Sequence, residues 1–145
     1  MNVAPQTLVI RAEIGELARV VGWTEMLATT MSLPSSTLFA IQLCFEEAVS
    51  NIIRHGFADR PGKARDIQLS VERRGDAVII TAADFAPAFD PLGVVPRPRP
   101  ATIEEAVVGG HGIQLMRRFA QHLSYERRDG MNRLTLCFDL PNSGT

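Results

Sequence analysis

The sequence predicts an α+β fold, with helices on one face of a largely antiparallel sheet. Two tight-turn signals, Arg74-Gly75-Asp76 and Asp129-Gly130, each separate a pair of strand-like segments and so predict two antiparallel hairpins. Helical spacing of apolar residues fills three other segments of the chain. The length of 145 residues, with 46% hydrophobic and 21% charged residues, suits one core. We therefore expect a single domain over residues 1–145, with its core between about 7 and 140.

The first part of the chain reads as strand, helix, helix. Alternating apolar residues predict a strand at 7–12, and helical spacing predicts a helix from 13 to about 31. Pro34 breaks that helix, and a second one, capped by Ser35 or Ser36, continues to about His55, where Gly56 ends it. The expected apolar stripes are Ile14, Leu17, Val20, Val21 and Leu27 on the first helix, and Ile41, Phe45, Ala48, Val49 and Ile52 on the second.

The second part contains both hairpins and a long irregular connection. Strands are expected at 66–73 and 77–84, and again at 124–128 and 133–140. Between the hairpins, five prolines interrupt residues 85–112, so that we expect a functional loop, a lid or disorder there, with the lid at about 91–110. A third helix is expected from 113 to about 123, with apolar spacing at Ile113, Leu115, Met116, Phe119 and Leu123. The face of the sheet away from the helices is left either to solvent or to dimer contacts.

Charge and hydropathy exclude several classes of protein. A net charge of −1 gives no field that would attract a nucleic-acid backbone. The longest uncharged stretch is interrupted by polar residues at 32–37, and the N-terminus has no basic region followed by an apolar run, so that we expect a cytoplasmic protein. Cys44 and Cys137 lie in apolar segments with no neighbouring Cys or clustered His, which predicts buried free thiols rather than a disulfide or zinc site.

The first candidate for chemistry is the flank of the second helix. Glu47, Asn51 and His55 follow one another at intervals of four residues, close to the margin of the apolar stripe. A carboxylate beside a carboxamide can act as a base next to a metal ligand, because an amide oxygen binds a hard cation such as Mg²⁺ without adding charge. The alternative is an ordinary solvated helix flank.

The second candidate is the end of the strand at 77–84. Asp84 closes that strand, and a compact turn follows in which Phe89 is the apolar anchor. A carboxylate at a strand end can accept a hydrogen bond from an exocyclic amine such as that of adenine. The alternative is an ordinary strand-terminating aspartate followed by a turn.

The third candidate is the segment Gly109-Gly110-His111-Gly112, immediately before a helix. Glycines permit close approach of the backbone, and the N–H groups at a helix N-terminus favour an anion such as phosphate. The segment follows a long proline-rich loop and carries no Lys-Ser/Thr, so that it matches neither the dinucleotide fingerprint nor the P-loop. A glycine-rich hinge is the alternative.

In their order and spacing, the three motifs closely resemble the Bergerat-type ATPase fold. Glu-x-x-x-Asn on a helix ending in His-Gly is followed by Asp-x-Ala-Pro-x-Phe-Asp-Pro and then by Gly-Gly-x-Gly opening a helix. Within that fold, FEEAVSNIIRHGF, the AFDP turn and YERRDGMNRLTL resemble the anti-sigma-factor serine kinases of the RsbW and SpoIIAB type. The resemblance spans about residues 7 to 140. It implies a two-layer α/β sandwich of the histidine kinase-like ATPase type, with helices on one face of a mixed, largely antiparallel sheet.

The resemblance also implies roles for individual residues. Asn51 would bind the Mg²⁺ that bridges the ATP phosphates, Glu47 would act as the general base, and Asp84 would accept from the adenine amino group. Ala86 stands where the family commonly has a glycine, and Val108 stands where some members have an arginine. The other residues placed at the ATP site by the resemblance are His55, Ala86, Phe89, Gly109, Gly110, His111 and Gly112.

Two functions are open at this point. One is a serine/threonine protein kinase that uses ATP and Mg²⁺ to phosphorylate an anti-anti-sigma protein of the STAS type, and that also sequesters a sigma factor. A homodimer is left open. The other is a nucleotide-responsive binding module that captures its partner without phosphorylating it. Because Glu47 and Asn51 are both present, the kinase is favoured.

Overall fold

The computed structural model of the chain describes residues 1–56, 65–88, 90–93 and 112–141. Phe89, Gly109, Gly110, His111 and nearly all of the segment expected to form a lid at 91–110 lie outside the described residues. Five strands are described, β1 (Asn2–Arg11), β2 (Asp66–Arg74), β3 (Ala77–Asp84), β4 (His122–Arg128) and β5 (Met131–Asp139). The α-helices are α1 (Leu17–Thr30), α2 (Ser35–Gly56) and α3 (Gly112–Phe119), and short 3-10 turns lie at Ile14–Glu16 and Pro91–Gly93.

The strands form one sheet in the order β1-β2-β3-β5-β4. All four of its pairings are antiparallel, so that within the described residues the sheet is antiparallel rather than mixed. Asp129 and Gly130 both have positive φ, as the tight turn between β4 and β5 requires. The α+β fold expected from the sequence is confirmed, and β3 is the central strand, with β2 and β5 on either side of it.

Alternate side chains of the strands pack against the helices and form the core, because successive residues of a strand point to opposite faces. The other face carries polar, half-buried side chains, among them Gln68, Ser70 and Thr81. The stripe expected on α2 is confirmed, with Ile52 only partly buried at its end. The core residues from the three inner strands are Ile67, Leu69, Val71, Val78, Ile80, Ala82, Leu134, Leu136 and Phe138.

Several element boundaries differ from the sequence-based expectations. Strand β1 begins at Asn2 rather than at residue 7, because its first residues pair with Arg73 and Arg74 at the far end of β2. Helix α1 begins at Leu17, and Ile14 and Val21 are exposed instead of contributing to the apolar stripe. Its buried positions are Val20, Thr24 and Leu27.

At the other end, α3 stops at Phe119 instead of continuing to about residue 123. The chain has to enter β4 at His122, so that Leu123 belongs to that strand and not to the helix. Strand β5 starts at Met131, two residues earlier than expected, because the tight turn consists of residues 129–130 alone.

The two cysteines are free and differ in burial. Cys44 is buried, as expected, whereas the expectation for Cys137 was wrong, since its side chain is only partly buried. Leu136 and Phe138 take the inward positions of β5, and the alternation of the strand therefore turns Cys137 to the outer face. Among the described helices, none combines the length and the apolar character that a bilayer crossing demands.

Candidate functional site

A pocket lies between α2 and the adjoining ends of β3 and β5. About 460 Å³ of space free of protein atoms lies within it, and part of that space is continuous with solvent. Its wall is largely apolar, and the polar groups of Asn51, Asp84 and Asn132 reach it from three elements. The complete lining consists of Ala48, Asn51, Ile52, His55, Ala82, Asp84, Ala86, Pro87, Pro91, Tyr125, Asn132 and Leu134.

Helix α2 positions its polar side chains through its buried stripe. Phe45, Ala48 and Val49 are inserted in the core, and this fixes the rotation of the helix about its axis. Asn51 and His55 consequently line the pocket, one turn apart. Glu47 is half-buried one turn before Asn51, whereas neighbouring Glu46 is exposed and lines a separate groove between α1 and α2.

The side chain of Glu47 lies against the first residue of α3. A Cβ atom at Gly112 would come within 3.2 Å of the Glu47 carboxyl carbon and 3.3 Å of its Cβ, and closer still to Oε2. Gly112 therefore leaves the space that this carboxylate occupies, a contact that the sequence did not predict. Burial raises the pKa of Glu47, the nearby charge of Arg54 lowers it, and Glu46 raises it. Burial, with the Glu47 charge as a second cause, raises the pKa of Cys44 to about 12.

Asn51 presents an amide oxygen that can bind a hard cation. In this structure Arg54 Nη2 donates a 2.5 Å hydrogen bond to Asn51 Oδ1, so that a positive group already lies at that oxygen. The described residues contain no cluster of three or more His, Cys, Asp or Glu side chains suited to a metal. One protein oxygen is compatible with a Mg²⁺ site of the type in which nucleotide phosphates and water supply the other ligands.

Asp84 is a buried carboxylate at the end of β3, with only 4% of its surface exposed. Its Oδ1 accepts hydrogen bonds from the backbone N–H of Ala86 at 2.9 Å and from Asn132 Nδ2 at 3.0 Å. Burial raises the pKa of Asp84, and the two hydrogen bonds and the charge of Arg127 act against that rise. The Ala86 methyl is itself buried in the pocket wall.

Three residues of the site were missed by the reasoning from sequence. Tyr125 Oη donates to Asn132 Oδ1 at 2.5 Å, and Arg127 Nη1 donates to the carbonyl oxygen of Ala86 at 2.7 Å. Asn132 Nδ2 also lies 3.1 Å from the carbonyl oxygens of both Ala86 and Pro87. The signal available in the sequence was the inward alternation of β5, where Asn132 occupies a position equivalent to the apolar Leu134 and Leu136.

The structure thus brings Asn51, His55, Asp84 and Ala86 into one pocket. Glu47 is not part of that lining and lies instead one helical turn away, facing α3. Gly112 is the first residue of α3, whereas the sequence-based expectation placed it just before a helix that starts at 113. The other four residues expected at the site, Phe89, Gly109, Gly110 and His111, lie outside the described residues.

Comparisons with known proteins identify the class to which this fold and pocket belong. The family model of the histidine kinase-like ATPase domain matches residues 10–138, and the chain belongs to that family. It is 38% identical over 114 residues to the serine/threonine-protein kinase BtrW of Bordetella bronchiseptica, an alignment that covers 79% of each protein.

A solved structure has the same fold. The crystal structure of the RsbU and RsbW domains of Rv1364c from Mycobacterium tuberculosis matches with a TM-score of 0.66 and 17% identity. The match covers 95% of this chain and 33% of the longer one. At 17% identity the likeness supports the fold alone, and the chemistry has to be inferred from the residues of the site.

Proposed function

We propose that this protein is an ATP- and Mg²⁺-dependent serine/threonine protein kinase and anti-sigma factor of a partner-switching system. The observation that carries the proposal is the placement of Glu47 and Asn51 one turn apart on α2, beside a pocket whose far wall holds the buried Asp84. Family membership and the 38% identity to a serine/threonine-protein kinase support it.

In this proposal the pocket holds the adenine end of ATP. The Asp84 carboxylate accepts a hydrogen bond from the exocyclic amine, while the apolar wall around Ala48 and Leu134 packs against the base. The phosphates extend toward Asn51 and the start of α3, where helix N–H groups favour anions. Asn51 Oδ1 would hold Mg²⁺, whose charge would help to neutralise the phosphates, and Arg54 would first have to release that oxygen.

The proposed chemical step is transfer of the γ-phosphoryl group to a serine or threonine hydroxyl. The hydroxyl oxygen forms a bond to the γ-phosphorus, the bond between that phosphorus and the bridging oxygen of ADP breaks, and ADP leaves with the electron pair. Glu47 accepts the hydroxyl proton. Burial suits this role, because a raised pKa makes the carboxylate a stronger base while the group remains ionised above that pKa.

The proposed protein substrate is an anti-anti-sigma protein of the STAS type, and the proposed partner that the protein sequesters is a sigma factor. The fold that this chain shares with the structure of RsbU and RsbW domains supports a place in a partner-switching system. We place the protein in the cytoplasm, as one domain that can form homodimers. The segment at 91–110 is proposed as the nucleotide lid, with Phe89, Gly109, Gly110 and His111 contributing to the site.

The decisive experiment separates Glu47 from Glu46. Purified protein is incubated with labelled ATP, Mg²⁺ and a STAS protein, and label on the STAS protein is counted. We expect Glu47→Gln to reduce transfer by about 10²- to 10⁴-fold while ADP affinity is retained. Glu46→Gln is the matched control, because its exposed side chain lines a different groove, and it should remain active.

The other outcomes have defined meanings. If Glu46→Gln lost transfer and Glu47→Gln did not, the base would lie on the other side of α2 and the assignment to Glu47 would be wrong. Wild-type protein that binds ATP and the STAS protein but transfers no label would refute the kinase and favour the nucleotide-responsive binding module, for which Ala86 and Val108 leave room.

A further inference from the structure

We propose that Asn132, held in place by Tyr125, makes the pocket prefer adenine to guanine by occupying one oxygen of the Asp84 carboxylate. The inference rests on the proposed function, in that Asp84 is taken as the group that meets the base. Asn132 is a positioning residue in this scheme, since it acts through Asp84.

The geometry begins with the register of the sheet. Asp84 and Asn132 are directly paired across β3 and β5, and both are buried on the helix side. Asn132 Nδ2 faces oxygens that only accept, which are those of Asp84, Ala86 and Pro87. Its Oδ1 accepts from the Tyr125 hydroxyl. The orientation of the carboxamide is therefore fixed from both ends.

The consequence is an asymmetric carboxylate. Oδ1 of Asp84 already accepts two hydrogen bonds, from the Ala86 N–H and from Asn132. Since a carboxylate oxygen has two lone pairs, the two hydrogen bonds within the protein saturate Oδ1. Only Oδ2 can then accept a hydrogen bond from a ligand.

A carboxylate with both oxygens free would not select adenine. Guanine presents two adjacent donors, the ring N1–H and the exocyclic N2 amine, which match the two oxygens of one carboxylate. Adenine presents a single amine on that edge, next to a ring nitrogen that accepts. Saturation of Oδ1 removes the bidentate pair of hydrogen bonds available to guanine. It leaves the single hydrogen bond to Oδ2 that adenine needs.

The charges around Asp84 agree with an acceptor role. Burial raises the pKa of this carboxyl, but the bonds from Asn132 and Ala86 and the charge of Arg127 on β4 favour the ionised form. On the α2 side the pocket is lined by His55. Asn132 therefore both occupies Oδ1 and helps to keep Oδ2 an acceptor.

The test is the ratio of ADP to GDP affinity, measured by calorimetry with Mg²⁺ present. Wild-type protein should prefer ADP by about 100-fold or more. Asn132→Leu, which keeps volume and removes the donor, should lower that ratio by about 10-fold or more, because GDP gains an oxygen that ADP does not use. Tyr125→Phe keeps the ring but removes the hydrogen bond to Asn132 Oδ1, and should lower the ratio by about threefold.

Arg127→Met is the matched control. It removes a hydrogen bond to the Ala86 carbonyl, as Asn132→Leu does, but leaves Oδ1 of Asp84 saturated. If Asn132 only anchored the turn after β3, Arg127→Met and Asn132→Leu would weaken ADP and GDP by the same factor and leave the ratio unchanged, and the proposal would be overturned. Melting curves without ligand check that each variant is folded.

The remaining outcomes distinguish this inference from the proposed function. If Asn132→Leu does not fold, an unchanged ratio in Tyr125→Phe overturns the inference. A wild-type protein that selects ADP through Asn132 but phosphorylates nothing refutes the kinase and leaves the inference intact. A wild-type protein that binds ADP and GDP equally, or binds neither, refutes the inference.

Discussion

Gly112 lets the carboxylate of Glu47 lie against the start of α3, and this can be tested at the level of one methyl group. In Gly112→Ala the new Cβ would be only 3.3 Å from Glu47 Cβ and closer still to Oε2, so that the carboxylate has to rotate away. We expect phosphoryl transfer to fall by about 10²-fold, since a displaced base loses most of its contribution. ADP affinity, measured by calorimetry, should change little.

Two comparisons make that result specific. In a Glu47→Gln background, Gly112→Ala should cause no further loss, because both changes remove the same base. Gly22→Ala is the control glycine, since a Cβ there would have no described heavy atom within 4 Å apart from its chain neighbours and the surrounding backbone of α1. In the interior of α1 it should stabilise the fold by up to about 1 kcal/mol and leave transfer unchanged. Additive losses for the two site changes would contradict the steric argument.

At this scale, the sequence predicted residues that belong to short motifs and missed those that act through the sheet. Asn51 and Asp84, which the structure places in one pocket, could be selected from the sequence because helical spacing and a strand end are visible over a few positions. Asn132 is separated from Asp84 by 48 positions, and only the register between β3 and β5 brings them together. Pairing register over such a distance is a property of the folded sheet, and spacing along the chain does not contain it.

Among the elements, the ends were harder to predict than the elements themselves. The bounds of β3 agree with expectation, because a tight turn and a polar residue limit it on either side. Strand β1 begins five residues earlier than expected, since pairing with β2 overrides the weak local signal of Asn2–Gln6. Helix α3 is shorter because β4 begins at His122.

Helix α2 carries opposing charges around Glu47, and they predict a pH dependence for transfer. In the proposed mechanism the ionised carboxylate is the active form, so that the rate should fall as pH falls through the raised pKa of Glu47. Arg54 lowers this pKa, and Arg54→Met should therefore move the acid limb of the rate profile to higher pH. Glu46 raises it, and Glu46→Gln should move the limb to lower pH. Each shift should be a fraction of a pH unit, because both partners are exposed.

The paired variants test the sign as well as the size of the effect. Single-turnover rates, measured with saturating ATP and Mg²⁺, keep binding out of the profile. Equal shifts of the limb in one direction for both variants, or an acid limb that persists in Glu47→Gln, would contradict the assignment of the limb to Glu47.

For the whole molecule, the candidate site depends on the sheet and helices being assembled together. Asn51 comes from α2, Asp84 from β3 and Asn132 from β5, while Gly112 opens α3. No two of these elements form the pocket alone, because its polar groups meet only when α2 is packed on the central strands. The unfolded chain should therefore have no affinity for nucleotide, and binding should stabilise the entire fold.

The last prediction follows from that linkage. A ligand that binds only the folded state adds about 2.7 kcal/mol of stability at 100 times its dissociation constant. For a chain of this size, ADP with Mg²⁺ should raise the melting temperature by roughly 5–15 °C, in one transition followed by circular dichroism. Replacing Mg²⁺ by a chelator should reduce the gain, and Asn51→Ala should remove the difference between the two conditions, because Asn51 Oδ1 is the proposed metal ligand. Asp84→Asn should lose most of the gain with or without metal. A rise in the wild-type melting temperature that is the same with and without Mg²⁺ would contradict the role of Asn51. A rise confined to one of two separate unfolding transitions would contradict a site built across the whole sheet.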